Sequence, residues 1–174
     1  MKARAVRGLD PAGSFHANAA LIVRTRLAEL YAFDPAIRDP ANVTELHDMR
    51  IAAKRLRYVL EIVGFAFGDE GVRLEAETKW VQEVLGDIHD CDVLVPEIDA
   101  HVAALRAEDR AFLVARDGDA AALADLPNRE RYRGLEGLGA FTGARRVLLY
   151  GTFIDRWDSL LATGFRDRVL AALR

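Results

Sequence analysis

The spacing of apolar residues along the chain predicts helices. Leucine, valine and alanine recur every three or four positions, whereas the two-residue alternation typical of strands is rare. Turn and stop signals, among them Asp10-Pro11, Gly68 and Gly164, separate the periodic segments. The pattern predicts long helices over residues 15–33, 44–67, 71–94 and 141–163, followed by a short terminal helix.

The connections between these segments complete the predicted fold. Ser14 is a plausible cap for the first helix, and Asn42 or Thr44 for the second. Pro96 is expected to end or kink the third helix, with helical character resuming as far as Leu105. Residues 116–139 are expected to form short helical pieces and loop. We therefore predict an all-α fold, an antiparallel four-helix bundle with a short terminal helix, in which residues 1–13 form a tail and residues 14–174 the bundle.

The second predicted helix has two distinct faces. At about 100° per residue, one side is apolar and should face the core; it carries Leu46, Met49, Ala53, Leu56 and Leu60. A separate stripe holds His47, Arg50, Lys54 and Arg57, with Arg55 off to one side. This stripe is about 15 Å long at a rise of about 1.5 Å per residue. Acidic residues are scarce on it, which favours an anionic ligand over a face that is merely solvated.

Composition limits the kinds of protein this can be. Half of the 174 residues are apolar (51%), and the single Cys91 excludes a disulfide framework and a multi-cysteine zinc site. No apolar run reaches the ~18 residues of a membrane span, and the first residues lack the apolar core of a secretory signal, so we expect a cytoplasmic protein. The net charge of −3 conceals an uneven distribution: residues 1–68 carry +3, residues 69–128 carry −10 and residues 129–174 carry +4.

Other predicted helices add basic residues that could share one groove with this stripe. On the third helix, one stripe contains Lys79, Gln82, Gly86, His89 and Val93. Gly86 lies in mid-helix, where it costs about 1 kcal/mol relative to alanine, and its role is either close packing or room for a ligand. The first helix carries Arg24 and Arg26, and the fourth carries Arg145, Arg146 and Arg156. On the fourth helix, Trp157 and Leu161 are predicted core positions.

Two motifs in these helices resemble the CHAD family, the conserved histidine α-helical domain. The first is His47, Arg50, Lys54, Arg55 and Arg57, and the second is Leu85, Gly86, Asp90, Asp92 and Val93. The resemblance implies a helical domain that binds inorganic polyphosphate through a basic surface and is not itself a catalyst, with no metal or cofactor. It also implies association with polyphosphate granules and a partner enzyme that hydrolyses triphosphates.

This chain departs from the family pattern in two respects. Many members carry two bundle halves, whereas this chain carries the motif once, which motivates the hypothesis of a homodimer. The position of His89 is often an arginine in the family, so a titratable group replaces a permanent cation. The residues assigned to the polyphosphate site are His47, Arg50, Lys54, Arg55, Arg57, Lys79, His89, Arg24, Arg26, Arg145 and Arg146.

Three alternatives remain open at this point. The pairs His47-Asp48 and His89-Asp90 could belong to a metal-dependent phosphohydrolase of the HD type, although nearby Arg50 and Lys54 would repel a divalent cation. The basic stripe could bind nucleic acid, since phosphates dominate affinity there too. A structural adaptor is the third alternative. Metal content and competition between polyphosphate and single-stranded RNA would discriminate between them.

Overall fold

The computed structural model describes residues 2–174, and their regular structure is helical throughout, without a strand. The five α-helices are α1 (Phe15–Tyr31), α2 (Val43–Val63), α3 (Gly68–Val114), α4 (Arg129–Ala162) and α5 (Phe165–Ala172). Short 3₁₀ segments cover Ala36–Arg38, Gly64–Phe67 and Ala120–Asp125. The all-α prediction is confirmed, while the antiparallel four-helix arrangement stays a prediction. No helix among residues 2–174 is long and apolar enough to cross a membrane.

The beginnings and ends of α1 and α2 largely follow the predicted signals. Ser14 caps α1, since its hydroxyl accepts a hydrogen bond from the Ala17 amide at 3.1 Å. Asn42 precedes α2, but its side-chain amide donates to the carbonyl of Ala36 at 2.8 Å instead of accepting from the helix. α2 ends at Val63 rather than Phe67, because the chain tightens into a 3₁₀ turn there.

α3 is longer than the sequence predicted. It runs without interruption from Gly68 to Val114 and contains Pro96, which was expected to end or kink it. Proline removes one backbone hydrogen bond from a helix, and the intact turns on either side hold the remainder in place.

α4 begins twelve residues before its predicted start at Phe141, so the expectation of loop over its first part was wrong. This part contains Gly134, Gly137 and Gly139, each of which costs about 1 kcal/mol relative to alanine. Tertiary contacts offset that cost. Asn128, just before the helix, donates its backbone N–H to the buried carboxylate of Asp109 at 3.2 Å.

The contacts of Asp109 hold the start of α4 in place. The side-chain amide of Asn128 donates to Asp109 Oδ1 at 3.1 Å, and the hydroxyl of Tyr132 donates to Asp109 Oδ2. Hydrogen bonds to a charged acceptor are about twice as strong as those between neutral groups. These partners lie about 20 residues apart in sequence, which is why local propensity failed to predict the helix.

The chain forms two compact units. The first consists of the residues up to His89 together with Leu149–Arg174, and the second is Asp90–Leu148. The predicted core face of α2 is confirmed, since Leu46, Met49, Ala53, Leu56 and Leu60 are all at most 2% exposed in the core of the first unit. On α4, Trp157 is buried as predicted.

The prediction for Leu161 was wrong by one position, because Leu160 is buried and Leu161 is exposed. The buried residues of α4 in the first unit are Phe153, Trp157 and Leu160, spaced four and then three residues apart. The periodicity of an apolar run with two adjacent leucines leaves this choice open.

The N-terminal segment before α1 makes contacts with the first unit. The backbone N–H of Arg4 donates to the carboxylate of Glu29, which is buried on α1. The amide of Asp10 donates to Asn18 Oδ1 at 2.9 Å, and Asn18 donates back to the Asp10 carbonyl at 2.7 Å. The predicted tail is therefore held against α1.

Candidate anion-binding site

The orientation of α2 follows from its apolar stripe. Because Leu46, Met49 and Leu56 point into the core, the residues on the opposite side reach the surface. Lys54 is exposed there, whereas His47, Arg50 and Arg57 are half-buried. Half-burial matters because a charge partly removed from water interacts more strongly with a ligand than a fully solvated one.

Two histidines meet beside this stripe. The ring of His47 on α2 lies 4.6 Å from the ring of His89 on α3, measured between centroids. The Nδ1 atom of each ring is buried and has no hydrogen-bond partner. The Nε2 atoms are neither bonded nor buried in this way, so they are the ring atoms that a ligand can reach.

The surroundings of His47 oppose its protonation. Burial lowers the pKa of the His47 imidazole below its ordinary value, and the neighbouring His89 and Arg50 lower that pKa further. Asp48 acts in the opposite direction and raises it, but more weakly. A folded-state pKa below the unfolded value of about 6.5 means that this histidine favours folding above that pH and loses the contribution as the pH falls.

Arg50 and Lys54 are cations without a carboxylate partner among residues 2–174. The Nε atom of Arg50 is buried and makes no hydrogen bond. Lys54 has its Nζ atom 5.7 Å from the ring centroid of Tyr58. Buried polar groups are normally satisfied, so an unpaired guanidinium nitrogen beside two unpaired imidazoles marks a place where an anion would be stabilised.

Gly86 on α3 lies directly beside Arg50. A Cβ atom built at this glycine would be 3.5 Å from Arg50 Nε, and no other atom comes within 4 Å of it apart from its own helix. The distance is that of an ordinary van der Waals contact. Close packing of helix backbones is therefore not the reason for a glycine here, and a methyl group at this position would touch the Arg50 side chain.

Substitution of Gly86 distinguishes a role in helix packing from a role in ligand binding. We expect Gly86→Ala to raise the free energy of unfolding by up to about 1 kcal/mol, because alanine favours a helix and the methyl group fits. The same change should weaken phosphate binding several-fold, since the methyl group fills the space next to Arg50. Urea unfolding and calorimetric titration measure the two effects. Destabilisation together with unchanged binding would show that the glycine serves packing.

The positive charge is less available towards the far end of the stripe. Arg57 Nε donates to Glu61 Oε1 at 2.9 Å, and Arg57 also lies 3.5 Å from Gln82 Oε1. Lys79 on α3 has a loose contact with Glu83, 3.9 Å between Nζ and Oε1. Arg55 is half-buried on α2. Among these cations, Arg50 and Lys54 therefore keep the charge that is least compensated by carboxylates within residues 2–174.

Three of the arginines assigned to the site have contacts elsewhere. Arg24 donates to the carbonyl of Leu173 at 2.6 Å, and Arg26 pairs with the buried Glu29 at 2.7 Å. In the second unit, Arg146 pairs with Asp92 at 2.9 Å, and both side chains are largely buried. The charges of Arg26 and Arg146 are thus matched by carboxylates within the fold, and the Arg24 guanidinium is held by a backbone carbonyl. Arg145 is exposed in the second unit.

Tyr58 is a neighbour of the site that the sequence analysis missed. Its ring is half exposed and lies close to two cations, Lys54 Nζ at 5.7 Å and the guanidinium carbon of Arg57 at 6.0 Å. The spacing of four residues between Lys54 and Tyr58 was visible in the sequence. Throughout residues 2–174 there is no group of three or more His, Cys, Asp or Glu placed to hold a metal ion.

Comparison with known protein families gave a match to this chain. A family model described as the CHAD domain matches residues 21–173, which is nearly the whole chain and includes every residue of the stripe. Neither the curated proteins nor the solved structures gave a match.

Proposed function

This chain belongs to the CHAD family, and we propose that it binds inorganic polyphosphate, without catalysis, along the basic face of α2. CHAD domains are associated with polyphosphate-related proteins in general. The binding surface in this chain is the stripe of His47, Arg50, Lys54 and Arg57, joined by His89 on α3.

One observation carries the proposal: Arg50 and Lys54 lack a carboxylate partner among residues 2–174, on the face of α2 that also carries His47, whose ring lies against His89. Other arginines of the first unit do pair with carboxylates, as Arg38 does with Asp34 and Arg156 with Glu77. Like charges gathered on one face destabilise a fold. A polyanion that neutralises several of them at once offsets this cost.

A linear ligand suits the geometry of the stripe. The cations follow one line about 15 Å long on a single helix, whereas a compact anion would need donors that converge on one point. Arginine presents a planar fork to phosphate oxygens, and lysine adds a point charge. Counterions released from the polymer drive such binding, so the affinity should fall log-linearly with salt concentration, as it does for nucleic acids.

Removal of two arginines from the stripe tests the proposal. We expect Arg50→Ala together with Arg57→Ala to weaken the binding of long-chain polyphosphate at least about tenfold and to reduce the salt slope by about two charges. The measurement is an affinity titration over a salt series with a folded variant. A matched control is Arg110→Ala with Arg133→Ala, two exposed arginines of the second unit, which removes the same net charge. Equal losses in both double variants would overturn the proposal.

Single-stranded nucleic acid is a second candidate ligand because of Tyr58. An exposed aromatic ring beside two cations is the arrangement on which unpaired bases stack. Polyphosphate has no base to stack. Competition between polyphosphate and single-stranded RNA therefore decides between the two, and Tyr58→Ala should weaken only the binding of RNA.

The remaining elements of the proposal concern the role of the protein in the cell. We place it in the cytoplasm with polyphosphate granules, acting with a separate enzyme that hydrolyses triphosphates, and forming a homodimer that supplies a second copy of the motif. The non-catalytic assignment requires that polyphosphate incubated with the protein releases no orthophosphate. Sedimentation with and without polyphosphate tests the homodimer.

A further inference from the structure

The two histidines and Arg50 lie together at one end of the α2 stripe. His47 and His89 face each other at 4.6 Å between ring centroids, and Arg50 acts electrostatically on His47. None of these side chains has a hydrogen bond or a carboxylate partner among residues 2–174. At the other end, Glu61 already pairs with Arg57 at 2.9 Å. The two ends of the stripe therefore offer different partners to a bound polyanion.

A linear polyphosphate also has two kinds of phosphate. Each internal phosphate carries one negative charge and has no ionisation near neutral pH. A terminal phosphate, like a phosphate monoester, has a second ionisation with a pKa of about 6 and so carries up to two charges. The chain end is thus its point of highest negative charge, and its titration range overlaps that of histidine.

We propose that His47, His89 and Arg50 form a seat for the terminal phosphate of a linear polyphosphate, so that the site prefers chain ends to internal segments. This inference rests on the proposed function and adds the direction in which the polyphosphate chain lies along α2. The chain end lies between the imidazoles, and the following phosphates run past Lys54 towards Arg57. Gly86 lies against Arg50, so a side chain larger than hydrogen at this position would crowd the arginine.

Proton uptake should accompany binding at this seat. In the free protein, burial, His89 and Arg50 all disfavour protonation of His47, and only the weaker influence of Asp48 favours it. A phosphate dianion placed against the rings reverses that balance and stabilises an added proton, shared between an imidazole and the terminal oxygen. Binding should therefore strengthen as the pH falls from about 7.5 towards 6 and level off where the terminal phosphate itself becomes protonated.

Two small ligands distinguish the binding of chain ends from the binding of internal phosphates. Linear tripolyphosphate has two ends, whereas cyclic trimetaphosphate has three phosphates and no end. We expect the protein to prefer the linear ligand, and His47→Gln with His89→Gln to lower the ratio of the two affinities about tenfold. Arg110→Ala with Arg133→Ala is the matched control, because both exposed arginines belong to the second unit and lie outside the stripe, so their removal should leave the ratio unchanged. Circular dichroism establishes that each variant is folded.

Calorimetry of the unaltered protein gives an independent measurement. Titration in two buffers of different ionisation enthalpy should show uptake of about one proton with the linear ligand and much less with the cyclic one. An affinity ratio that does not change in the double histidine variant, or equal proton uptake with both ligands, would overturn the end-binding seat. The proposed polyphosphate site on α2 would still be supported if the Arg50 and Arg57 variant lost affinity for long chains. That proposal would be overturned if the unaltered protein did not bind long chains at all.

Discussion

Leu56→Asp should leave the first unit unfolded at room temperature. Leu56 is fully buried on the core face of α2, two turns after Met49 and one turn before Leu60. An unpaired carboxylate at this position costs about 5 kcal/mol or more, even when it takes up a proton to lower its charge. Domains of ordinary size are stable by only about 5–15 kcal/mol, so this change removes most or all of that margin. Far-UV circular dichroism and a thermal melt measure the result.

Lys54→Asp is the matched control for that substitution. It introduces the same carboxylate two residues earlier, on the exposed face of the same helix. Its cost should stay within about 1 kcal/mol, which reflects helix propensity alone. If the two variants melted at similar temperatures, the two faces of α2 would be exchanged, and the binding site would have to be placed elsewhere.

Gly71→Ala should be the most damaging of the glycine substitutions. A Cβ atom at Gly71, in the first turn of α3, would overlap the carbonyl oxygen of Gly64 and lie 3.0 Å from its carbonyl carbon and 3.2 Å from Phe67 Cβ. Two of these three atoms belong to the backbone, which cannot rotate away as a flexible side chain would. The expected loss is about 3 kcal/mol, at the upper end for overpacked sites. A chain of this size should then melt about 10 °C lower.

The partner glycine in that contact provides the control. A Cβ at Gly64 would have its nearest neighbours at 3.8–3.9 Å, and the residue has helical dihedral angles that alanine adopts readily. Gly64→Ala should therefore be neutral or slightly stabilising, because it restricts the unfolded chain. A Gly71→Ala variant as stable as Gly64→Ala would show that the two backbones are not in close contact.

The predictions from sequence were most accurate for features that depend on a single helix. The core face of α2 follows from the 3.6-residue period alone, and all five predicted residues are buried. The cap at Ser14 and the stop at Gly164, which has φ +62°, depend on neighbouring residues only. Local physics is sufficient for such features.

Features that depend on distant residues were not visible in the sequence. The first third of α4 is helical because Asp109, about 20 residues earlier, binds Asn128 and Tyr132. Arg146 pairs with Asp92, 54 positions away, so periodicity could not show that its charge is already matched. Arg26 is different, since its partner Glu29 is three residues away and the pair could have been predicted.

The candidate site depends on patterns visible in the sequence and on contacts visible only in the structure. The stripe on α2 was visible as a pattern, and the motif on α3 placed His89 in the same predicted site. The contact between the two imidazoles, and the absence of carboxylate partners for Arg50 and Lys54 in the described part of the chain, required the structure.

The ion pair between Arg57 and Glu61 has a consequence for how fast a bound chain leaves. A phosphate at Arg57 competes with a carboxylate held one helical turn away, so each time that phosphate detaches, Glu61 takes its place and repels its return. Arg50, nearer His47, has no carboxylate partner among residues 2–174. A bound polymer should then peel away from the Arg57 end first while the other end stays attached, which allows stepwise handover to another protein without complete release. The His47 end of the stripe thus determines how long the polymer stays bound, and the Arg57 end determines how easily it is transferred.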